Sequence, residues 1–327
     1  MLKILVAASA AVIMATPALA ADVTLRLAHF AAETHPGHIA AQQFADNVAK
    51  RTDSAVEVEL YPANELGSPP EQLEQTVLGA IDMNLPTHGG LDKYEKAFGT
   101  VMTPFAFRDY AHAHEVLDGP FTEWVAPKLD EEGLVMLSHW EYGFRNVTNS
   151  ERPIETPQDV AGLKLRTPPE VQIVAAVEGL GASATQIAFP ELPNALNQGV
   201  VDGQENPIGV IYHFKLDDFQ DHLALTRHVY NSMIHVINKA SWDRLSEEQQ
   251  QIVREESAAA GQLMRELVVK QEEDELAKLE ARGMSITRPD LAPFRDTVAA
   301  SEAMNRVAEY TGRENMDKFQ AMLGGGS

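Results

Sequence analysis

Hydrophobic and polar positions alternate in two short segments near the amino terminus, at 23–28 and 56–60. Strict alternation is typical of half-buried β-strands. Between them, the segment from Ile39 to Lys50 repeats its apolar positions at four-residue spacing, which predicts an amphipathic helix. The order strand, loop, helix, strand predicts a parallel α/β unit, in which ligands lie at the carboxyl ends of the strands.

The same order returns further along the chain. Pro69 and Pro70 before Glu71 predict the start of a second helix, and a short strand is expected at 81–85, followed by a loop at 87–90 on the same rim. Further strands are predicted at 134–137, 162–166 and 230–237, and a further helix at 170–178. The whole pattern indicates the α/β class.

One predicted helix is much longer than the others. Ser246 and Gln249 form a capping box, and a pattern rich in Glu, Gln, Lys, Leu and Ala continues without proline to Arg282, where Gly283 can end it. Roughly 35 residues at about 1.5 Å per residue span about 50 Å. Because the leucines do not keep a heptad seam, a brace across two lobes is favoured over a surface coiled coil.

The first 20 residues predict a secretory signal. Met1 to Lys3 supplies a positive start and Ile4 to Met14 is apolar. The small residues Ala18 and Ala20, separated by one residue, suit a cleavage site, so the mature chain would begin at Ala21. The apolar run is shorter than the roughly 20 residues that span a bilayer. The sequence contains no cysteine, which excludes disulfides and a lipid-modified cysteine. A soluble protein outside the cytoplasm is therefore expected.

Size and charge narrow the possibilities further. About 307 residues would remain after cleavage, more than one hydrophobic core usually serves, so two lobes are expected. The formal net charge of -22 argues against a nucleic-acid partner. This negative charge would not attract an anionic ligand from a distance. Charges are screened over about 10 Å at 0.1 M salt, however, so a few arginines can still determine binding inside a cleft.

Arg166, in the strand predicted at 162–166, is the strongest candidate for ligand binding. A guanidinium presents paired planar donors that match a carboxylate, which lysine cannot do. The alternative is a structural arginine that pairs with an acidic residue on a neighbouring strand.

Aromatic and histidine side chains near predicted strand ends are weaker candidates. Trp140 and Tyr142 could form an apolar floor under a ligand, and Phe189 occupies a similar position, although such aromatics are more often core residues. His35 and His38 lie at or next to the loop predicted at 29–37 and could line a pocket as neutral imidazoles. His88 lies on the loop predicted at 87–90, and loop residues near His35 and His88 could bind ligand hydroxyls.

No metal and no cofactor are expected. The pairs His35 with His38 and His112 with His114 lack an accompanying Cys or a His-Glu-x-x-His motif, and residues two apart on a helix do not share a face. Acidic residues show no defined spacing that would indicate a glycosidase pair. A secreted hydrolase or metal-dependent enzyme acting on an acidic substrate is the alternative to a binding protein.

Two motifs carry a resemblance to a known family. The chain reads Gly-Leu-Lys-Leu-Arg-Thr-Pro at 162–168 and Asp-Gly-Gln-Glu-Asn-Pro at 202–207, and segments 61–67 and 79–82 are also similar. Together they closely resemble the substrate-binding proteins of TRAP transporters, the dicarboxylate-type periplasmic family. At 191–193 this chain has Glu-Leu-Pro, where the family usually has Glu-Leu-Tyr or Glu-Val-Tyr.

The resemblance implies a two-lobe periplasmic-binding-protein fold with hinge strands and a long lobe-spanning helix. Lobe I would comprise 21–142 plus 232–271, and lobe II 143–231 plus 272–327. It also implies a receptor in the periplasm that closes around a small organic acid. The receptor would deliver that acid to a TRAP-type membrane permease driven by an ion gradient. Independently of the resemblance, a monomer is expected because the sequence shows no evident apolar patch.

The resemblance also assigns site residues. Arg166 matches the family's principal carboxylate-binding arginine, Arg145 its second arginine, and Asn206 its pocket asparagine. From the residues alone, Arg145 could instead tether the hinge, and Asn206 could fix its own loop. Polar loop residues favour a hydroxylated or sugar acid over a four-carbon dicarboxylate, a 2-oxoacid or an ectoine-like zwitterion. A sensing role instead of uptake stays open.

Overall fold

The computed structural model describes residues 22–324. The predicted signal at 1–20 lies outside these residues. The strands are β1 Val23–Ala28, β2 Val56–Tyr61, β3 Met83–Asn84, β4 Leu134–Asn149, β5 Lys164–Thr167, β6 Ser183–Gln186, β7 Gly203–Asn206, β8 His222–Asn238 and β9 Ser285–Thr287. The helices are α1 Pro36–Arg51, α2 Pro69–Val77, α3 His88–Leu91, α4 Tyr110–Val116, α5 Thr122–Glu131, α6 Pro157–Val160, α7 Val171–Gly179, α8 Leu192–Asn197, α9 Ile208–His213, α10 Lys239–Trp242, α11 Glu247–Ala281, α12 Leu291–Ala300, α13 Ala303–Thr311 and α14 Arg313–Leu323.

All nine of these strands belong to one mixed sheet. Their order is β2-β1-β3-β8-β4-β7-β5-β6, and β9 pairs with β8. At one end β1 is parallel to β2 and β3, and at the other end β5 is parallel to β6 and β7. The predicted α/β class is confirmed, with one parallel unit at each end of the sheet.

The two long strands β4 and β8 join these units. They are antiparallel from Leu134 opposite Asn238 to Asn149 opposite His222, with three irregularities in register. The sequence predicted only the segments 134–137 and 230–237. The remainder was missed because most residues of both strands are buried, so the alternation that marks a half-exposed strand is absent.

Helix α11 has the predicted length and connects both ends of the molecule. Its amino-terminal half packs through Met264 into the apolar cluster around β1 and α1. Its carboxyl-terminal half packs through Leu276 and Leu279 into the cluster around α8 and α9. Gly261 permits the close approach to β4, because a Cβ there would overlap the carbonyl oxygen of His139. The helix therefore braces the two parallel units.

The carboxyl-terminal helices contact both halves of the chain. Val298 and Val307 are buried in the cluster around β5 and α7. Phe319 of α14 is buried instead with Phe98 and Phe121, which belong to the segment predicted as lobe I. Residues 272–327, predicted as part of lobe II, thus reach across to the other side.

Two local features complete the fold. The predicted rim loop at 87–90 contains the short helix α3, and the Thr87 hydroxyl caps it by accepting a hydrogen bond from the Gly90 amide at 3.0 Å. Among residues 22–324, no helix is long and apolar enough to cross a membrane.

Candidate functional site

A cavity of about 370 Å³ opens where four strands of the two parallel units end. This volume is within the range of roughly 300–1,000 Å³ typical of small-molecule sites. Residues at or just beyond the carboxyl ends of β3, β5, β6 and β7 line it, as predicted for parallel α/β units. Its polar and charged lining residues are Ser68, Gln72, Asn84, Thr87, Asp92, Lys93, Tyr142, Arg145, Arg166, Glu170, Gln186, Asn206 and Tyr310.

Arg166 lines the cavity with a guanidinium that no acidic side chain neutralises directly. It lies on β5, is 1% exposed, and its Nε donates to the backbone carbonyl of Ile187 at 2.8 Å. Within the described residues, no carboxylate oxygen lies within 4.0 Å of it. Burial lowers the pKa of Arg166 to about 10, against the opposing effect of Glu205. The group is therefore charged at neutral pH and lacks a direct anionic partner.

Arg145 also lines the cavity, but it is held by Glu205. Its Nε donates to one carboxylate oxygen of Glu205, and its Nη2 donates to the other at 2.8 Å and to the backbone carbonyl of Glu205 at 2.9 Å. Both side chains are buried. Burial opposes the charged form of each, but their attraction prevails, so the pKa of Arg145 is raised and that of Glu205 is lowered. Most donors of Arg145 are thus already used within the protein.

Asn206 lies at the end of β7 and connects Arg145 to an aromatic wall. Its Oδ1 accepts from Arg145 Nη2 at 3.1 Å and from the Tyr142 hydroxyl at 3.5 Å. Tyr142 lines the cavity and packs edge-on against Phe30, with ring centroids 4.8 Å apart. Asn206 therefore orients this corner of the cavity.

Phe189 lines the same cavity beside Arg166. The centre of its ring is 5.8 Å from the guanidinium carbon, within the range of a cation–π contact. It packs edge-on against Phe214 at 4.9 Å. Of the sequence-derived candidates, the cavity brings together five: Tyr142, Arg145, Arg166, Phe189 and Asn206.

His35 does not line this cavity. It is the amino-terminal cap of α1, where its Nδ1 accepts from the Gly37 amide at 3.0 Å. Its ring packs against Phe30, which does line the cavity, and against His213. Burial first, and then the neighbouring histidines, lower the pKa of His35 well below its usual value. The neutral imidazole expected from the sequence thus supports the cavity wall from behind.

His88 is likewise outside the lining. It is fully buried at the start of α3, is stacked on His139 at 5.3 Å, and has its Nδ1 3.2 Å from the backbone oxygen of Ser232. Burial and His139 lower its pKa well below the usual value. Helix α3 directs the imidazole of His88 into the core. The other residues of the segment predicted at 87–90, Thr87, Gly89 and Gly90, line the cavity.

Trp140 fixes helix α11 and does not form a floor for the cavity. Its indole Nε1 lies 3.1 Å from both the Ser138 hydroxyl and the backbone carbonyl of Ser257. Side chains alternate between the two faces of a strand, so Trp140 and Arg145 need not share a face. Here Trp140 belongs to the core beneath α11.

Two acidic residues in the lining were not singled out from the sequence. Glu170, directly before α7, accepts a hydrogen bond from the Thr87 hydroxyl at 3.1 Å. Asp92 accepts from Tyr310 at 2.8 Å and from Gln172 at 3.0 Å. Burial raises the pKa of both carboxyl groups. Glu170 could have been considered from the sequence, because it follows Arg166 by only four residues. Tyr310 comes from the distant helix α13, and its sequence position gives no such indication.

The histidine pairs at 35/38 and 112/114 are the sequence features that would suggest a metal site. In the part of the chain that the structure describes, no three His, Asp or Glu side chains converge to form a possible metal site.

Comparison with known proteins places the chain among binding proteins. A sequence model of the bacterial extracellular solute-binding protein family 7 matches residues 27–306. The 2,3-diketo-L-gulonate-binding periplasmic protein of Escherichia coli is 34% identical over 284 residues, which cover 86% of each chain.

Solved structures are also similar. A TRAP periplasmic solute binding protein from a Polaromonas species, bound to D-erythronate, has a TM-score of 0.87 and 34% identity, covering 91% of this chain and 98% of its own. Another from Sulfurospirillum deleyianum, with bound succinate, has a TM-score of 0.86 and 26% identity, covering 92% and 99%.

Proposed function

Because the chain belongs to family 7 of the bacterial extracellular solute-binding proteins, we propose that it is the periplasmic receptor of a TRAP transporter. It captures a small organic acid and delivers it to the membrane subunits of that transporter. The carboxylate of the acid binds Arg166, and a hydroxylated or sugar acid is the favoured ligand class.

One observation carries this proposal: the charged end of Arg166 faces a cavity of about 370 Å³, and no anion among residues 22–324 pairs with it directly. A buried guanidinium without a partner is unfavourable, so a ligand carboxylate that supplies the partner gains affinity from that site. Arg145 forms one side of the pocket, but Glu205 occupies most of its donors and balances its charge. Phe189 and Tyr142 shield the ion pair from water, which strengthens it.

Closure of two lobes around the ligand is part of the proposal. Lobe I is 21–142 plus 232–271, lobe II is 143–231 plus 272–312, and helix α14 moves with lobe I because Phe319 is buried there. Strands β4 and β8 run through both lobes and serve as the hinge. The Thr87 contact with Glu170 crosses between the lobes at the cavity. A ligand that touches both sides therefore stabilises the closed state.

The first experiment is a thermal-shift screen of the mature protein against organic acids, followed by calorimetry. A ligand at 100 times its Kd stabilises the folded state by about 2.7 kcal/mol. The ligand is then recovered after denaturation of the complex. Intact acid supports a receptor, whereas release of a chemically altered product would overturn the assignment in favour of an enzyme.

Delivery to the membrane is tested by reconstitution. Candidate TRAP membrane subunits from the same organism are placed in vesicles with an ion gradient, and uptake of the identified acid is measured. Uptake should require this protein and should fail with Arg166→Ala. Uptake that is equally fast without the receptor would contradict the proposed role.

A further inference from the structure

The cavity contains an unpaired acceptor as well as an unpaired cation. Glu170 lines it, and of its two carboxyl oxygens only Oε1 has a hydrogen-bond partner among the described residues. Glu170 as a residue is partly exposed, but Oε2 itself is enclosed. A buried carboxyl oxygen without a donor is unfavourable, and such groups are usually satisfied in the functional state of a protein.

The surrounding hydrogen bonds fix the acceptor role of Glu170. The Thr87 hydroxyl accepts from the Gly90 amide at 3.0 Å and donates its own proton to Glu170 Oε1 at 3.1 Å. Gly89 leaves room for this arrangement, because a Cβ at that position would overlap Cγ of Glu170. Oε1 is thereby occupied, and Oε2 is left for a donor from the ligand.

The charges around the cavity limit what that donor can be. Arg145 and Glu205 neutralise each other. Asp92 accepts hydrogen bonds from Tyr310 and Gln172, and Lys93 is exposed. Among the described residues, Arg166 and Glu170 are therefore the enclosed charged groups of the lining that keep unpaired hydrogen-bonding atoms and lack a direct ionic partner. A second carboxylate on the ligand would face Glu170 and would be repelled. A hydroxyl is compatible with either state of Glu170, because it both donates and accepts. Its desolvation is also less unfavourable than that of an ammonium group.

We propose that Glu170 selects the ligand class: its Oε2 accepts a hydrogen bond from a hydroxyl of a monocarboxylate bound to Arg166, and it rejects acids with a second carboxylate. This inference rests on the proposed function and narrows it. The ligand is a polyhydroxy monocarboxylic acid. Unpaired charges that act against the wrong partner are a general source of specificity.

The test uses pairs of acids that differ at one end only. D-Erythronate and meso-tartrate share every carbon and hydroxyl except that the terminal CH₂OH of the first is a carboxylate in the second. D-Gluconate and D-glucarate form the same kind of pair with six carbons. The pair that the wild type binds more tightly is chosen for the measurement. Competition calorimetry then gives the ratio of the affinity for the monocarboxylate to the affinity for the dicarboxylate of that pair. The wild type should favour the monocarboxylate by at least about tenfold, since like charges in contact are strongly unfavourable.

Two variants separate selection from general charge. Glu170→Gln keeps an acceptor for Thr87, removes the negative charge and adds a donor for a second carboxylate. It should reduce the preference by at least about tenfold. Glu191→Gln changes the net charge equally at an exposed position outside the cavity lining, and should leave the preference unchanged. Melting curves of the free proteins check that both variants fold.

The outcomes distinguish this inference from the proposed function. A wild type that binds dicarboxylates as well as monocarboxylates, or a ratio unchanged in Glu170→Gln, overturns the role of Glu170 while receptor function stands. A preference for 4-aminobutanoate over 4-hydroxybutanoate would also overturn it, since the donor would then be a cation. Failure of the wild type to bind any carboxylic acid would refute the proposed function itself.

Discussion

Arg145 and Arg166 face the same cavity from adjacent parts of the sheet, yet their surroundings differ. Arg145 is enclosed by both carboxylate oxygens and the backbone carbonyl of Glu205. Arg166 donates to one backbone carbonyl, and its remaining donors have no hydrogen-bond partner in the described structure. The difference indicates that the first arginine maintains the cavity, whereas the second is available to a ligand.

Arg145→Ala should give the largest effect on stability. It leaves Glu205 buried without its cation, and loss of one partner of a buried ion pair destabilises by about 3–5 kcal/mol. Urea denaturation of the free protein measures this change. A variant that is as stable as the wild type but has lost ligand affinity would reverse the roles of the two arginines.

Arg166→Ala should instead reduce affinity. Removal of the cation leaves the ligand carboxylate unpaired, which should weaken binding by about 2–5 kcal/mol. The stability of the free protein should change little, because no anion in the described part of the chain pairs with Arg166 directly. Calorimetry measures the affinity. Arg166→Lys is the control: it keeps the charge but not the paired donors, so its affinity should lie between those of the other two proteins.

Trp140→Phe tests whether this aromatic belongs to the core or to the site. It removes the indole donor to Ser138 and to the Ser257 carbonyl, so a loss of about 1–3 kcal/mol in stability is expected. Ligand affinity should be unaffected. Affinity that falls while stability is retained would return Trp140 to the binding site.

The smallest effects are expected from pH. Two buried carboxyl groups, Glu205 beside Arg145 and Glu170 in the cavity lining, should make stability respond to pH in opposite directions. Arg145, assisted by His228, lowers the pKa of Glu205 against the effect of burial. Its stabilisation is therefore present above the usual glutamate pKa of about 4.3 and is lost as the pH falls below it. Burial raises the pKa of Glu170 despite Arg145, Thr87 and Arg166, so Glu170 reduces stability as the pH rises above the same value.

Denaturation curves between pH 3 and about pH 7 measure both effects. Glu205→Gln should flatten the loss of stability on the acidic side, and Glu170→Gln should flatten the loss towards neutral pH. Parallel curves for the wild type and both variants would contradict the assigned pKa directions.

The sequence predicted the elements whose signals are local. Alternation located β1 and β2, and the capping box at Ser246 located the start of α11. The full lengths of β4 and β8 were missed, because burial of most of their residues removes alternation. The location of the cavity followed from the parallel units.

Only part of the candidate site was predicted, because sequence signals are local and the site also depends on contacts between distant segments. Arg166 belongs to a recognisable motif, but its lack of a carboxylate partner depends on contacts with distant segments. His88 was expected at the rim because its loop is there, but the direction of a side chain is set by the local turn, which the residue pattern does not reveal. Tyr310 could not be found, since only tertiary packing brings α13 to the cavity.

A crystal structure of the protein with its highest-affinity organic acid tests the role of Arg166 most directly. The ligand carboxylate should lie about 2.7–2.9 Å from the guanidinium nitrogens of Arg166, with Arg145 still paired to Glu205. A structure in which Arg166 pairs with a protein carboxylate while the acid binds elsewhere would contradict the proposed mode of binding.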